Sequence, residues 1–145
     1  MGNLAKVKQL REFIRQLERK LGILEESEVS CCSITLAQCH ALVEIGRAKS
    51  ISLIDLSQLL NLDNSTMSRT VNNLVNRGLV ERELDPDDRR YVTIQLTENG
   101  IKMFEGIEES MNLYYQKVFQ SIPSKKQEQV LESLQILLEA IGKND

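Results

Sequence analysis

The chain has 145 residues, a formal net charge of -3, 27% charged residues, 4% aromatic residues and no Trp, the mix of a globular domain that leans helical. Its two Pro and seven Gly leave little room for a loop-rich fold or a disordered tail. No apolar run approaches the roughly 18 residues a bilayer span needs and no signal peptide opens the chain; this predicts a cytoplasmic protein that does not engage a membrane, keeps its three Cys reduced and is too acidic to coat nucleic acid everywhere, though one face can still be basic.

Residues 4–24 set Leu4, Val7, Leu10, Ile14, Leu17, Leu21 and Leu24 at steps of three and four, the apolar stripe of a long helix. Such a helix, so near the start of the chain, crosses its own domain or packs on a second subunit. Cys31 to Ser33 read as a connection. A second helix starts at Thr35 and reaches about Arg47. Ser52 with Asp55 reads as an N-cap pair for a short helix ending near Leu60. Asp63 or Asn64 caps a fourth helix that runs to Arg77 and stops at Gly78, a residue suited to the left-handed position after a helix. LVEREL and YVTIQLT follow, with an acidic loop between them. In the second run Val92, Ile94 and Leu96 alternate with Tyr91, Thr93 and Gln95, the period of a half-buried strand, so the two runs form a hairpin. Thr97 caps another long helix carrying Ile101, Phe104, Ile107, Met111, Tyr114 and Val118, and Pro123 ends it. Ser124 and Gln127 fit a capping box for a last helix carrying Val130, Leu131, Leu134, Leu137, Leu138 and Ile141.

The fold class that results is mainly α with a small β-hairpin: a winged helix–turn–helix in the middle, flanked by long amphipathic helices. The helix over 64–77 carries Met67, Val71, Leu74 and Val75 as its expected buried stripe. Its other face shows Ser65, Ser68, Arg69, Asn72 and Asn76, with Thr66 and Asn73 at the edges and Arg77 at the end. It holds no acidic side chain, although the chain as a whole is acidic. Short hydroxyls, amides and an arginine are the groups that meet base edges and phosphates in a major groove. The hairpin tip brings Arg89 and Arg90 beside that helix, where an arginine can enter a narrow, strongly negative minor groove. Asp85, Asp87 and Asp88 can pair with such arginines and hold one extended. The plain alternatives are a solvated helix face and a loop charged for solubility.

The stretch DLSQLLNLDNSTMSRTVNNLVNRGLVERELDPDDRRYVTIQLTENG resembles the MarR family of bacterial winged helix–turn–helix transcriptional regulators. STMSRTVNNL, GLVERELDPDDRR and QLTENG are similar to its recognition helix, its wing and the start of its post-wing helix. The resemblance implies one domain over 1–145, with residues 1–34 and 98–145 as dimerisation helices and 35–97 as the DNA-binding lobe. It implies an obligate homodimer on a pseudo-palindromic duplex operator, with Ser65, Thr66, Ser68, Arg69 and Asn72 facing DNA. It also implies Arg90 in the minor groove with Asp88 as its partner, and a small effector that releases a repressor. Two reading heads on a two-fold axis also make physical sense, because they span successive major grooves one helical turn apart.

CCSITLAQCH gathers Cys31, Cys32, Cys39 and His40, all three thiols and the single histidine of the chain. Thiolates that converge suit a soft metal or metalloid ion, and His40 added to them suits tetrahedral zinc. Zinc-sensing members of the family add histidines on the post-wing helix, where this chain has Glu105, Glu108 and Glu109. Thiol redox switching is a rival, although peroxide-sensing members carry their reactive cysteine on the first helix, where this chain is expected to have none. Buried structural thiols, or a small phenolic ligand bound elsewhere, complete the alternatives. An enzyme is not expected, since nucleophile-elbow, phosphate-loop and dinucleotide motifs are missing. A winged-helix protein-interaction module without DNA binding would need acidic or apolar residues on the polar face of 64–77, which lacks them.

Overall fold

A computed structural model describes residues 2–32, 34–88 and 91–144, with the side chains of 23–32 not described. The elements in chain order are α1 (Gly2–Cys32), α2 (Leu36–Ala48), β1 (Ile51–Ser52), α3 (Leu53–Leu59), α4 (Asn64–Asn76), β2 (Val80–Leu84), β3 (Val92–Leu96), α5 (Glu98–Ser121) and α6 (Gln127–Gly142). Met1–Ile107 and Glu108–Asp145 form two compact units, the division falling within α5. Among the described residues no helix is long and apolar enough to cross a membrane.

The first unit is built where capping chemistry expects it. Thr35 accepts from the Gln38 N–H at 3.2 Å and its own N–H donates to Gln38 Oε1 at 3.2 Å, a complete capping box at the start of α2. Ser52 Oγ accepts from the Asp55 N–H at 3.0 Å and opens α3. Gly78, at φ 73, ends α4 in the left-handed region. The core joins Ala41, Leu42 and Ile45 of α2 to Leu56 of α3, Met67, Val71 and Leu74 of α4, and Val80 and Ile94 of the sheet. Ser57 and Thr70 are buried with them because their hydroxyls donate to Leu53 O and Thr66 O, at 2.9 and 3.1 Å.

The hairpin pairs antiparallel, with Val80 opposite Leu96 and Leu84 opposite Val92. A third strand joins it, since β1 pairs with β3, Ile51 opposite Ile94, and the sheet order is β1-β3-β2. The sequence reading missed β1, because two residues are too few for a period. Thr97 then stitches α5 to the end of α4. Its hydroxyl donates to Gly78 O at 2.6 Å and accepts from the Gly100 N–H at 3.1 Å, and its own N–H donates to Leu79 O at 3.0 Å. Gly100 sits against that same carbonyl, where an added Cβ would lie 2.0 Å from Leu79 O.

Four expectations change. The run Cys31–Ser33 is not a connection from its start, because α1 continues through Cys32 with no Gly or Pro after Gly22 to stop it. The first helix therefore does carry cysteines, Cys31 and Cys32, at its end. The buried stripe of α4 includes Thr70, while Val75 is half-buried. The Ser124–Gln127 capping box does not form: Ser124–Lys126 is a 3-10 turn, and Gln127 Nε2 donates to Phe119 O and Ile122 O at the end of α5 instead.

The second unit holds the last part of α5 and all of α6. α6 has no buried residue, and Leu131, Leu134, Leu138 and Ile141 recur at helical spacing along it, all exposed. In the first unit α1 likewise exposes Leu4, Val7, Leu10, Phe13 and Leu17.

Candidate nucleic-acid interface

α4 has a strongly two-sided sequence, and its polar side remains open. Met67, Thr70, Val71 and Leu74 turn inward. Ser65, Arg69, Asn73, Asn76 and Arg77 are exposed, and Thr66, Ser68 and Asn72 are half-buried at the edges of that face. Arg69 makes no hydrogen bond or ion pair among the described residues, so its guanidinium is available to an outside acceptor.

Asp63 occupies the N-cap with extended backbone, φ -73 and ψ 157, but makes no cap bond to the helix backbone through its side chain. The Thr66 hydroxyl, ahead of the Ser65 hydroxyl, holds its carboxyl below the usual carboxylate range. A depressed carboxyl stabilises the start of α4 when ionised, and that contribution fades as pH falls through its lowered value. The hydroxyls expected to meet phosphate thus already face one anion at the first turn.

The wing is shaped by its acids. Asp85 Oδ1 accepts from the Asp87 N–H at 2.9 Å and the Asp88 N–H at 3.4 Å, and the Asp85 N–H donates to Tyr91 O at 3.0 Å. Asp85 therefore folds the turn, in the way short acidic side chains initiate turns. The main-chain carbonyl of Asp88 accepts from the Tyr91 N–H at 3.0 Å, and its side chain is half-buried. Arg89 and Arg90 lie outside the described residues.

One residue near this face was missed in the sequence. Arg82, at the middle of β2, is exposed, and its guanidinium donates to Asn72 Oδ1 on α4. Its register partner is Ile94, a core residue, so Arg82 stands on the helix-facing side of the sheet. The readable signal was a charged residue at an inward position of VEREL.

Of the four candidate ion ligands, Cys39 is buried on α2 at 9% exposure and His40, next to it, is exposed. The two adjacent side chains thus meet different surroundings. The side chains of Cys31 and Cys32 lie outside the described residues. Among the described residues no three His, Cys, Asp or Glu side chains group as a metal site.

A cavity of about 410 Å³ opens where α2, β3 and α5 meet, lined by Gly46, Lys49, Leu96, Ile101, Phe104 and Glu105 among others. Gly46 lets the Phe104 ring lie flush on α2, since an added Cβ would be 2.6 Å from it. Lys49 holds φ 69 and ψ -49, a region that side-chain-bearing residues rarely adopt.

A family model described as the MarR family matches residues 34–92. The multiple antibiotic resistance protein MarR of Escherichia coli is 32% identical over 96 residues, which are 66% of this chain and 67% of that protein. The crystal structure of a mutant of Escherichia coli MarR complexed with operator DNA aligns with TM-score 0.74 and 26% identity, over 94% of this chain and 95% of that one. FabT of Streptococcus pneumoniae, solved in complex with DNA, is 19% identical with TM-score 0.86 over 95% and 99% of the two chains, a likeness of fold. On the relationship to the Escherichia coli protein, and with the three-stranded winged sheet beside an acid-free helix, the chain belongs to the MarR family of winged-helix transcriptional regulators.

Proposed function

We infer that this chain is a cytoplasmic homodimeric repressor that holds a pseudo-palindromic duplex operator and lets it go when a small effector binds. The observation that carries the DNA-binding part is the open face of α4. It is a row of hydroxyls, amides and arginine without one carboxylate, in a chain whose net charge is -3. Ser65, Thr66, Ser68, Arg69, Asn72, Asn73, Asn76 and Arg77 are the groups we assign to the major groove. Arg89 and Arg90, with Asp88, are assigned to the minor groove. The operator-bound structure of a 26%-identical relative supports the reading. The test is a gel shift on DNA recovered by sequencing the fragments that the purified protein retains. Arg69→Ala and Arg90→Ala are each expected to weaken binding by about 1–3 kcal/mol. Wild-type affinity is expected to fall steeply as salt rises, because phosphate contacts release counterions. Affinity that ignores both salt and these substitutions would remove the reading.

The 410 Å³ cavity favours a small aromatic effector over an ion held by Cys31, Cys32, Cys39 and His40. Phe104, Ile101 and Leu96 offer apolar walls, and Lys49, held in its rare conformation, offers a cation to a carboxylate or phenolate. Benzoate serves as a probe. At a hundredfold excess over its Kd it would stabilise the protein by about 2.7 kcal/mol, seen as a raised Tm. Ile101→Trp, which fills the space, is expected to abolish that rise. A benzoate-induced rise that survives Ile101→Trp would place the ligand elsewhere.

A further inference from the structure

We propose that Arg82 is a specificity-determining positioning residue: it turns the Asn72 amide so that only N–H donors face the groove, selecting a guanine edge. This rests on the reading of α4 as the DNA-facing helix. Ser65, Arg69, Asn72 and Asn76 follow one another at steps of four, three and four along α4, so Asn72, half-buried, stands at the edge of the open face in line with exposed Ser65, Arg69 and Asn76. An asparagine on such a row ordinarily suits adenine, because its oxygen accepts from the adenine amino group while its nitrogen donates to N7. Here the oxygen is engaged from behind. The Arg82 guanidinium reaches it from β2, across the gap between sheet and helix.

The orientation of the amide is not ambiguous. A guanidinium carries five donors and no acceptor, so only Oδ1 of Asn72 can face it. The Nδ2 group must then point away, and it makes no hydrogen bond among the described residues. Arg82 makes no ion pair with a carboxylate among the described residues, so no acid competes with the amide for it. The strand fixes the arginine in turn: Arg82 lies opposite Ile94, which is fully buried, in the middle of the five-residue ladder. What emerges at that point of the row is a donor group backed by a positive charge. Guanine presents two acceptors, N7 and O6, on its major-groove edge, and adenine presents an acceptor beside a donor. A donor-only amide matches the first and leaves the second with an unmet amino group.

The experiment uses the full-length protein and the duplex it selects from a random pool, with every base pair of one half-site then replaced in turn. Wild type is expected to show one guanine per half-site whose exchange for adenine weakens binding. Arg82→Met and Asn72→Ala are each expected to flatten discrimination at that same pair roughly tenfold, the worth of one good base contact, and to leave the other pairs as they were. Combining the two is expected to flatten it no further. Asn72→Asp keeps a partner for Arg82 but removes both amide donors, and is expected to lose the guanine preference with Tm maintained. Two results would overturn the proposal. One is an equal loss of affinity by Arg82→Met at every pair, as a phosphate contact would give. The other is an Asn72-dependent pair that proves to be adenine. A wild-type protein that enriches no sequence at all removes the DNA-binding reading itself, whereas a defined operator with an unaltered Arg82→Met profile removes this proposal alone.

Discussion

Replacing Leu134 and Leu138 together by Asp is expected to turn the protein into monomers and to abolish operator binding. The two residues lie one helical turn apart on α6, at 44% and 69% exposure, in a row with Leu131 and Ile141 at 49% and 47%. On a helix of sixteen residues with no buried residue, such an apolar row is the mark of an interaction surface. On the homodimer reading proposed above, its partner is a second copy. In a two-fold interface each substitution occurs twice, so four leucine side chains are lost and four carboxylates enter an apolar seam. Burying one leucine is worth about 1.5–3 kcal/mol, so the loss is on the order of 6 kcal/mol or more before the charges are counted. That is about four powers of ten in dimer dissociation. Sedimentation equilibrium reads the mass, and a gel shift reads the operator. Ser133→Asp, on an exposed polar position of the same helix turned away from that row, is the control expected to leave both unchanged. A double variant that still sediments as a dimer would show that α6 is covered by something other than a second subunit.

The second large effect is expected at Gly100. Alanine there would bring Cβ to 2.0 Å from Leu79 O, 3.0 Å from Leu79 C and 3.2 Å from Leu96 Cβ. The nearest atoms belong to backbone pinned by the Leu79 N–H bond to Leu74 O and the Thr97 N–H bond to Leu79 O, so α5 has to move. Its movement strains the Thr97 N–H bond to Leu79 O and the Thr97 hydroxyl bond to Gly78 O. Overpacking costs about 1–3 kcal/mol, and each lost hydrogen bond adds about 1 kcal/mol, for a total of about 4 kcal/mol. At roughly 2.1 cal/mol/K of unfolding entropy per residue, Tm should fall by about 10 °C or more. Gly106→Ala, further along α5 where an added Cβ meets no described atom within 4 Å, provides the contrast. It should raise stability by about 0.5–1 kcal/mol, as alanine does in a helix interior. Thermal unfolding of the two variants side by side is the measurement. A Gly100→Ala protein as stable as wild type would mean that the contact with Leu79 is not maintained in solution.

Much of this architecture could be read from the chain alone, for reasons that are local. Thr35, Ser52 and Thr97 announce helix starts because a short side-chain oxygen three residues before an N–H satisfies it wherever the sequence is placed. Gly78 announces an end because a left-handed turn after a helix costs glycine least. The alternation over Val92, Ile94 and Leu96 and the acid-free row on α4 are likewise properties of period and composition. The tertiary structure alone decided the rest. The strand Ile51–Ser52 exists because Ile94, far along the chain, offers it a ladder. Thr70 joins the buried stripe because the turn before it supplies a carbonyl for its hydroxyl. Gln127 leaves its expected cap because the end of α5 presents the carbonyls of Phe119 and Ile122 within reach of its amide. The meeting of Arg82 with Asn72, ten residues apart, follows from strand register and helix packing together, and neither a helical nor a strand period announces it. Patterns that one helical turn or one strand can satisfy are written in the sequence, and contacts between elements wait on how those elements pack.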